Sequence, residues 1–149
     1  MRVYLASSWR NKRFLNVLES LRREGHEVYN FREMNSAFRW EGVGVSRDHC
    51  APLDYLGALM SDTAEAAFVN DRVGIEWCDV LVMLQPCGNS AHLEAGYAKG
   101  RGKRVHMLLS GEQRPELMYL LADACYADLT SLLESLACDE LTMPRAGDA

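Results

Sequence analysis

The chain predicts a single α/β domain built on a parallel sheet, and three observations carry that prediction. Short apolar runs, Val3-Tyr4-Leu5-Ala6, Val80-Leu81-Val82-Met83-Leu84 and Arg104 to Leu109, alternate with stretches whose apolar residues recur at helical spacing. Glycines and turn residues punctuate the alternation, notably Gly25, the group Pro86 to Asn89, and Gly100. At 149 residues and 48% hydrophobic, the chain suits one core, since compact domains hold roughly 100 to 150 residues.

Taken in order, Val3 to Ala6 is a first strand, followed by the polar loop Ser7 to Arg13. Phe14, Leu15, Val17, Leu18 and Leu21 then mark an amphipathic helix that stops at Gly25. His26 to Tyr29 reads as a short second strand. Residues 30–50 are irregular, mixing Phe31, Phe38 and Trp40 with Arg32, Arg39 and Arg47, and a loop of that length in a small domain is a functional feature more often than an idle one. Residues 52–60 and 62–77 are helical, and Val80 to Leu84 is the third strand. Turn residues at 86–89 and capping residues at Asn89 and Ser90 open a central helix ending at Gly100. A fourth strand at 104–109, a helix at 116–121, a fifth strand at Ala124 to Tyr126 and a closing helix at 129–136 complete the pattern.

Strands alternating with helices imply a parallel sheet covered on both faces. Right-handed crossovers then leave the flavodoxin-like, Rossmann-like order 2-1-3-4-5 as the expected topology. Residues 1–137 form the domain, and residues 138–149, where periodicity is lost, are expected to be a loose tail. In such sheets ligands lie beyond the carboxyl ends of the strands, which sets the loop at 6–13 beside the loop at 85–90.

The net charge of -5 and pI near 5.4 argue against a nucleic-acid polymer as partner. Five scattered cysteines, none in a Cys-x-x-Cys pair, suggest neither a disulfide framework nor a zinc site, and reduced cytoplasmic thiols are the expectation. No window approaches the roughly 18 apolar residues of a membrane span.

Two acids stand on the wrong helical faces. At about 100° per residue, Ala91, Ala95 and Ala98 form a small-residue strip for close packing on the sheet, and Glu94 lies on its flank. A first-turn acid favoured by the helix dipole is the bland alternative, worth roughly 0.3 to 1 kcal/mol. Asp71 falls within the arc of Ala64, Ala67, Phe68 and Ile75, where an acid costs several kcal/mol unless hydrogen-bonded, and bonding to a nearby loop is the bland alternative there. Two carboxyls turned toward one crevice are the equipment of glycosidic chemistry, one as nucleophile and one as proton handler.

Tyr4-Leu5-Ala6-Ser7-Ser8-Trp9, Asp71 with Cys78-Asp79-Val80-Leu81-Val82 after it, and Gly88 through Leu93-Glu94-Ala95-Gly96-Tyr97-Ala98 together resemble the nucleoside 2'-deoxyribosyltransferase family, over about residues 2–109. The resemblance implies Glu94 as nucleophile at C1', Tyr4 as its orienting partner and Asp71 as proton donor or base contact, with no cofactor or metal. Base-exchanging members carry an Asp where this chain has Gly88, whereas relatives that hydrolyse nucleoside 5'-monophosphates lack it. Ser7, Ser8 and Arg10 in the first loop, with Gly88, Asn89 and Ser90 at a helix N-terminus that favours an anion, are therefore expected to hold substrate phosphate, and Trp9 to meet the base. His92 points away from Glu94 and is expected at the surface or in a dimer contact. The implied function is hydrolysis of a nucleoside or, preferentially, a nucleoside 5'-monophosphate. Base exchange, NAD cleavage and nucleotide sensing without turnover are the alternatives. The implied partner is a small nucleoside or nucleotide, and the implied assembly is a homodimer or larger homo-oligomer.

Overall fold

The computed structural model describes residues 1–46 and 49–142. Five parallel strands, β1 (Arg2–Ala6), β2 (Glu27–Tyr29), β3 (Val80–Leu84), β4 (Arg104–Leu108) and β5 (Ala124–Tyr126), form one sheet in the order β2-β1-β3-β4-β5. This is the topology expected from the alternation of strand and helix patterns. The register sets Tyr4 between Tyr29 of β2 and Leu81 of β3.

Because successive strand residues face opposite sides of a sheet, β1 divides its side chains between two cores. Val3 and Leu5 pack with Phe14, Val17, Leu18 and Leu21 of α1 (Phe14–Arg23) and with Leu132 and Leu136 of α6 (Leu129–Thr142). Tyr4 and Ala6 pack on the other side, with Ile75 of α4 (Asp62–Trp77) and with Ala91, Ala95 and Ala98 of α5 (Asn89–Gly100). The alanine strip is buried as the helical angles require, and its small side chains let α5 lie close against β3 and β4. Burial of each large apolar side chain contributes roughly 1.5 to 3 kcal/mol, so the two layers hold the strand ends in place from both faces.

Several local expectations are corrected. The irregular stretch at 30–50 contains a short helix, α2 (Phe31–Met34), capped by the Asn30 side chain on the Arg32 amide, and a 3-10 helix at Trp40–Val43. The helix at 52–60 is α3 (Pro52–Leu59). The segment at 116–121 is a 3-10 helix, Leu117–Leu121, rather than an α-helix. Phe68, placed by periodicity in the buried arc of α4, is 64% exposed, with the Arg72 guanidinium 5.9 Å from its ring centre.

Helix α6 runs to Thr142, beyond the point where apolar periodicity fades. Polar contacts hold its last turn. Asp139 binds His106 Nε2 at 2.8 Å and pairs with Arg104, while Glu140 binds the chain's amino terminus at 2.7 Å. Residues 138–142 are thus helical and tied to the sheet, and the rest of the expected tail lies outside the described residues. Among the described residues no helix is long and apolar enough to cross a membrane.

One glycine sets a close approach. A Cβ on Gly74 of α4 would come within 2.6 Å of the Tyr29 ring, which itself stacks on Tyr4 at 4.9 Å with a 12° interplanar angle. Gly74→Ala is expected to lower the unfolding free energy by about 1 to 3 kcal/mol despite the better helix propensity of alanine, because the ring must shift out of its stack on Tyr4 to admit the methyl group. Urea denaturation measures this, and an unchanged or raised midpoint would contradict the packing described.

Candidate active site

The two helices on the Tyr4 face bring Asp71 and Glu94 to the same place, from α4 and α5 respectively. Glu94 is the sixth residue of α5, and the helix has no acid in its first turn, so the dipole explanation for its position does not apply. The N-cap is Gly88, without a side-chain cap, instead of Asn89 or Ser90. This correction has a consequence for binding: Asn89 and Ser90 become the first helical residues, and the amides at that end have no capping side chain of their own.

Both carboxyls sit in a low-dielectric environment. Burial first, then the negative charge of Asp71, pushes Glu94 up to about 8, while the Tyr4 hydroxyl acts in the opposite sense. Asp71 is pushed up to about 6 by burial, against hydrogen bonds from Tyr29, Tyr4 and Asn35 that favour its charged form. Two interacting acids titrate as a pair, and loss of water moves both upward, so the pair gives up its protons closer to neutral pH than free carboxyls do. The Tyr4 hydroxyl is fully buried and makes no hydrogen bond of good geometry, yet it lies near enough to both acids to lower the pKa of each. A hydroxyl rotates to suit its neighbour, so Tyr4 can serve whichever carboxyl carries the charge. Its own ionisation is strongly suppressed by burial and by the two nearby acids.

Asp71 has a second set of partners that periodicity does not reveal. Asn35, just past α2, donates to Asp71 Oδ1 at 2.8 Å, and Tyr29 donates to the same oxygen at 3.3 Å. The bland reading of Asp71 as an acid bonded to a nearby loop therefore also holds, and the two roles coexist on one residue. Tyr29 lies at the end of a strand already legible in the sequence. Asn35 lies in the irregular stretch, where nothing marks it out.

The loop after β1 and the loop after β3 are joined. The Ser7 hydroxyl donates to the Leu84 carbonyl at 2.9 Å and accepts from Asn11 Nδ2 at 3.0 Å, and the same amide reaches the Pro86 carbonyl at 3.1 Å. Arg13 donates to the Leu109 carbonyl at 3.2 Å. Arg32 binds the carbonyls of Ser8 and Asn11 at 2.8 and 3.0 Å and covers the Phe14 ring. Ser7, Arg13 and Arg32 are thus committed to shaping the loops. Ser8 Oγ accepts from the Arg10 amide at 3.1 Å, and Arg10 is exposed. Trp9, 37% exposed, packs edge-on against Phe31 with the Arg39 guanidinium 5.3 Å from its ring centre. Phe38 packs edge-on against Trp40, and Trp40 in turn contacts Tyr55 of α3, forming an aromatic cluster of their own.

Ahead of Gly88, Gln113 clamps the backbone of Cys87 from both sides, accepting from its amide at 2.9 Å and donating to its carbonyl at 3.3 Å. His92 points away from Glu94 as the helical angle predicts. Its ring is half-buried, with one nitrogen 2.8 Å from the Gly88 carbonyl and the other 2.9 Å from the Tyr119 hydroxyl. His92 and Tyr119 therefore have partners within their own chain. Asn11, Arg32, Gln113 and Asn35 are the residues that sequence reasoning missed, since each acts by reaching a backbone or side chain distant in sequence. Among the described residues no group of three or more His, Cys, Asp or Glu side chains comes together to hold a metal ion.

The doubly wound sheet with acids beyond its strand ends places the chain in a recognisable structural class. No protein-family model and no curated protein matches the sequence, so the likeness is one of structure. A 2-deoxyribosyltransferase from Bacillus psychrosaccharolyticus superimposes with a TM-score of 0.60 at 20% identity, over 89% of this chain and 90% of that one. A CMP N-glycosidase from Clostridium botulinum does so with a TM-score of 0.55 at 18% identity, over 92% and 99% of the two chains. A conserved protein from Enterococcus faecalis gives a TM-score of 0.64 at 16% identity, over 93% and 98%. The chain shares the fold of these proteins along nearly its whole length.

The raised acids have a cost that depends on pH. Their folded pKa values exceed the unfolded ones, so the folded state holds protons that the unfolded chain releases, and stability is lost as pH rises from about 4.5 to 8. Glu94→Gln is expected to match the parent near pH 4 and to exceed it by on the order of a few kcal/mol at pH 8.5. Urea midpoints at the two pH values test the sign, and equal midpoints at pH 8.5 would refute the burial of an ionisable Glu94.

Proposed function

We propose that the protein cleaves the N-glycosidic bond of a nucleoside, with preference for a nucleoside 5'-monophosphate, through a glycosyl-enzyme on Glu94. The observation that carries this reading is the half-buried pair of Glu94 and Asp71 beside the buried Tyr4 hydroxyl, each acid raised above its ordinary value chiefly by loss of water. Glycoside cleavage needs one carboxylate and one carboxylic acid side by side, and environments that push two acids apart in pKa supply them. The structural likeness to a 2-deoxyribosyltransferase and to a CMP N-glycosidase supports the same chemistry.

In this mechanism the proton that burial favours on Glu94 in the empty site moves to Asp71 when substrate binds, and the Glu94 carboxylate, oriented by the Tyr4 hydroxyl, attacks C1'. The C1'–N bond breaks with its electron pair going to the base, and Asp71 passes a proton to that base as it leaves. Water then attacks C1', Asp71 takes a proton from it, and Glu94 departs as carboxylate. Ser8 and Arg10 after β1, together with the open amides at Gly88, Asn89 and Ser90, receive the 5'-phosphate, because a helix N-terminus and a guanidinium both favour an anion. Ser7 holds the shape of that loop through the Leu84 carbonyl, and Trp9 offers a face to the base. A second reading, base exchange, has the 2-deoxyribosyltransferase likeness in its favour. In it a free base replaces water in the second step.

A homodimer or larger homo-oligomer is the proposed working form. Helix α3 exposes Leu53 at 80%, Met60 just after it is 85% exposed, and the 3-10 helix at 117–121 exposes Leu120 at 84%. Large apolar surfaces of this kind mark protein–protein contacts in soluble chains.

Incubation with a panel of nucleosides, nucleoside 5'-monophosphates and NAD, read by chromatography for free base, tests the activity. Monophosphates are expected to give the highest kcat/KM, and Glu94→Ala to lower it about a thousandfold or more while folding normally. Arg10→Ala is expected to cost about tenfold with a monophosphate and little with the matching nucleoside. Addition of a second free base separates transfer from hydrolysis. Saturable nucleotide binding with no base released from any substrate would replace the enzyme with a sensor, and release from NAD alone would replace the substrate class.

A further inference from the structure

The hydrogen bonds around Asp71 specify more than its location. Two side-chain donors, Asn35 Nδ2 at 2.8 Å and Tyr29 Oη at 3.3 Å, end on Oδ1, while the Tyr4 hydroxyl lies near the carboxyl without a hydrogen bond of good geometry. A carboxyl oxygen has two lone-pair sites, so these two donors occupy Oδ1. The Asn35 amide is itself oriented, because Asn70 Nδ2 donates to its Oδ1 at 3.1 Å, leaving its nitrogen to face Asp71. Tyr29 is held by its stack on Tyr4 and by the bare Cα of Gly74 behind its ring. Two separate elements, β2 and the end of α2, thus converge on one oxygen of an acid carried by a third, α4.

We propose that Tyr29 and Asn35 are positioning residues that confine the exchangeable proton of Asp71 to Oδ2, with Asn70 setting the orientation of the Asn35 amide. The proposal rests on the reading of Asp71 as the acid that protonates the leaving base. A carboxylic acid whose proton is free to sit on either oxygen presents it toward the substrate only part of the time. With Oδ1 filled by two donors, protonation there would set hydrogen against hydrogen, and the proton goes to Oδ2. The step then reads simply: the Oδ2–H bond breaks, the hydrogen moves to the base nitrogen as the C1'–N pair arrives there, and Asp71 is left as a carboxylate stabilised at Oδ1. The groups facing Asp71 are Tyr4 from β1, Tyr29 from β2, Asn35 after α2 and Glu94 from α5. Among these only Tyr29 and Asn35 are remote from the proposed nucleophile in role, so they can be altered without removing a reacting group.

The experiment uses the full chain and the variants Tyr29→Phe, Asn35→Ala, Asn70→Ala and Asn35→Ala/Asn70→Ala. Each is read by carbon NMR titration of the Asp71 carboxyl and by base release from the best substrate of the parent. Tyr29→Phe keeps the ring, its stack and its contact with Gly74, so a purely structural role predicts no change. The proposal predicts that Tyr29→Phe and Asn35→Ala each raise the Asp71 titration above the parent's and lower kcat about tenfold, with KM within about twofold. Asn70→Ala is expected to give part of the Asn35→Ala effect and to add nothing to it in the double variant, since it acts through that amide. Parent-like titration and kcat in Tyr29→Phe and Asn35→Ala would overturn the proposal, as would full additivity of Asn35→Ala and Asn70→Ala. Asp71→Asn separates the two ideas. If it is as active as the parent, the role of Asp71 itself fails, whereas an inactive Asp71→Asn beside unaffected Tyr29→Phe and Asn35→Ala removes only the clamp.

Discussion

The burial of two carboxyls on one face of the sheet is the constraint around which the rest of this structure is arranged. Each is pushed upward mainly by loss of water, and Glu94 is raised further by the charge of Asp71. Such a pair is unfavourable in any fold that does not support it, because neither charge can be taken from solvent without compensation. The compensation is spread over the neighbouring elements. Tyr4 approaches the acids from β1, Tyr29 and Asn35 bond to Asp71, and the upward shift of both acids lets protonation relieve the need for two charges.

The architecture makes that arrangement rigid. Tyr4 belongs to β1, which is flanked by β2 and β3 and covered on both sides, so its hydroxyl cannot drift. Helix α5 lies close to the sheet because Ala91, Ala95 and Ala98 leave little between its backbone and β3, and that fixes the height at which Glu94 enters. Asn11 and Ser7 tie the first loop to the third strand, Arg13 reaches the end of β4, and Gln113 secures the approach to Gly88. These contacts fix the backbones of the two loops that border the crevice.

Much of the fold was legible because it depends on local pattern. The five strands fall within a residue or two of their apolar runs, and the helices at 52–60 and 62–77 follow from periodicity and from Pro52 and Ser61 at their starts. Glu94 and Asp71 were legible for the opposite reason: each breaks a pattern that its neighbours keep. The misreadings have physical causes as well. Asn89 and Ser90 are good capping residues, yet the chain enters α5 one residue earlier through Gly88, whose extended backbone completes the turn after Pro86 and Cys87. Phe68 has the right helical angle for burial but stays exposed, its ring covered by the Arg72 guanidinium of the same helix. The last turn of α6 is held by Asp139 and Glu140 through partners more than thirty residues away, which periodicity does not record.

By itself the sequence determined the elements, their order and the two anomalous acids, since these follow from which side chains recur at which spacing. It also determined that Tyr4 would face away from Leu5, because a strand alternates. The tertiary structure alone decided that Tyr4, Asp71 and Glu94 share one buried space, that Tyr29 and Asn35 both reach the same oxygen of Asp71, and that Arg13 and Arg32 are spent on carbonyls while Arg10 stays at the surface. The reason is one of distance. Helical and strand patterns are set by neighbours a few residues apart, whereas desolvation and hydrogen bonding at the site depend on side chains from β1, β2, α2, α4 and α5 whose separation is known only once the sheet has formed.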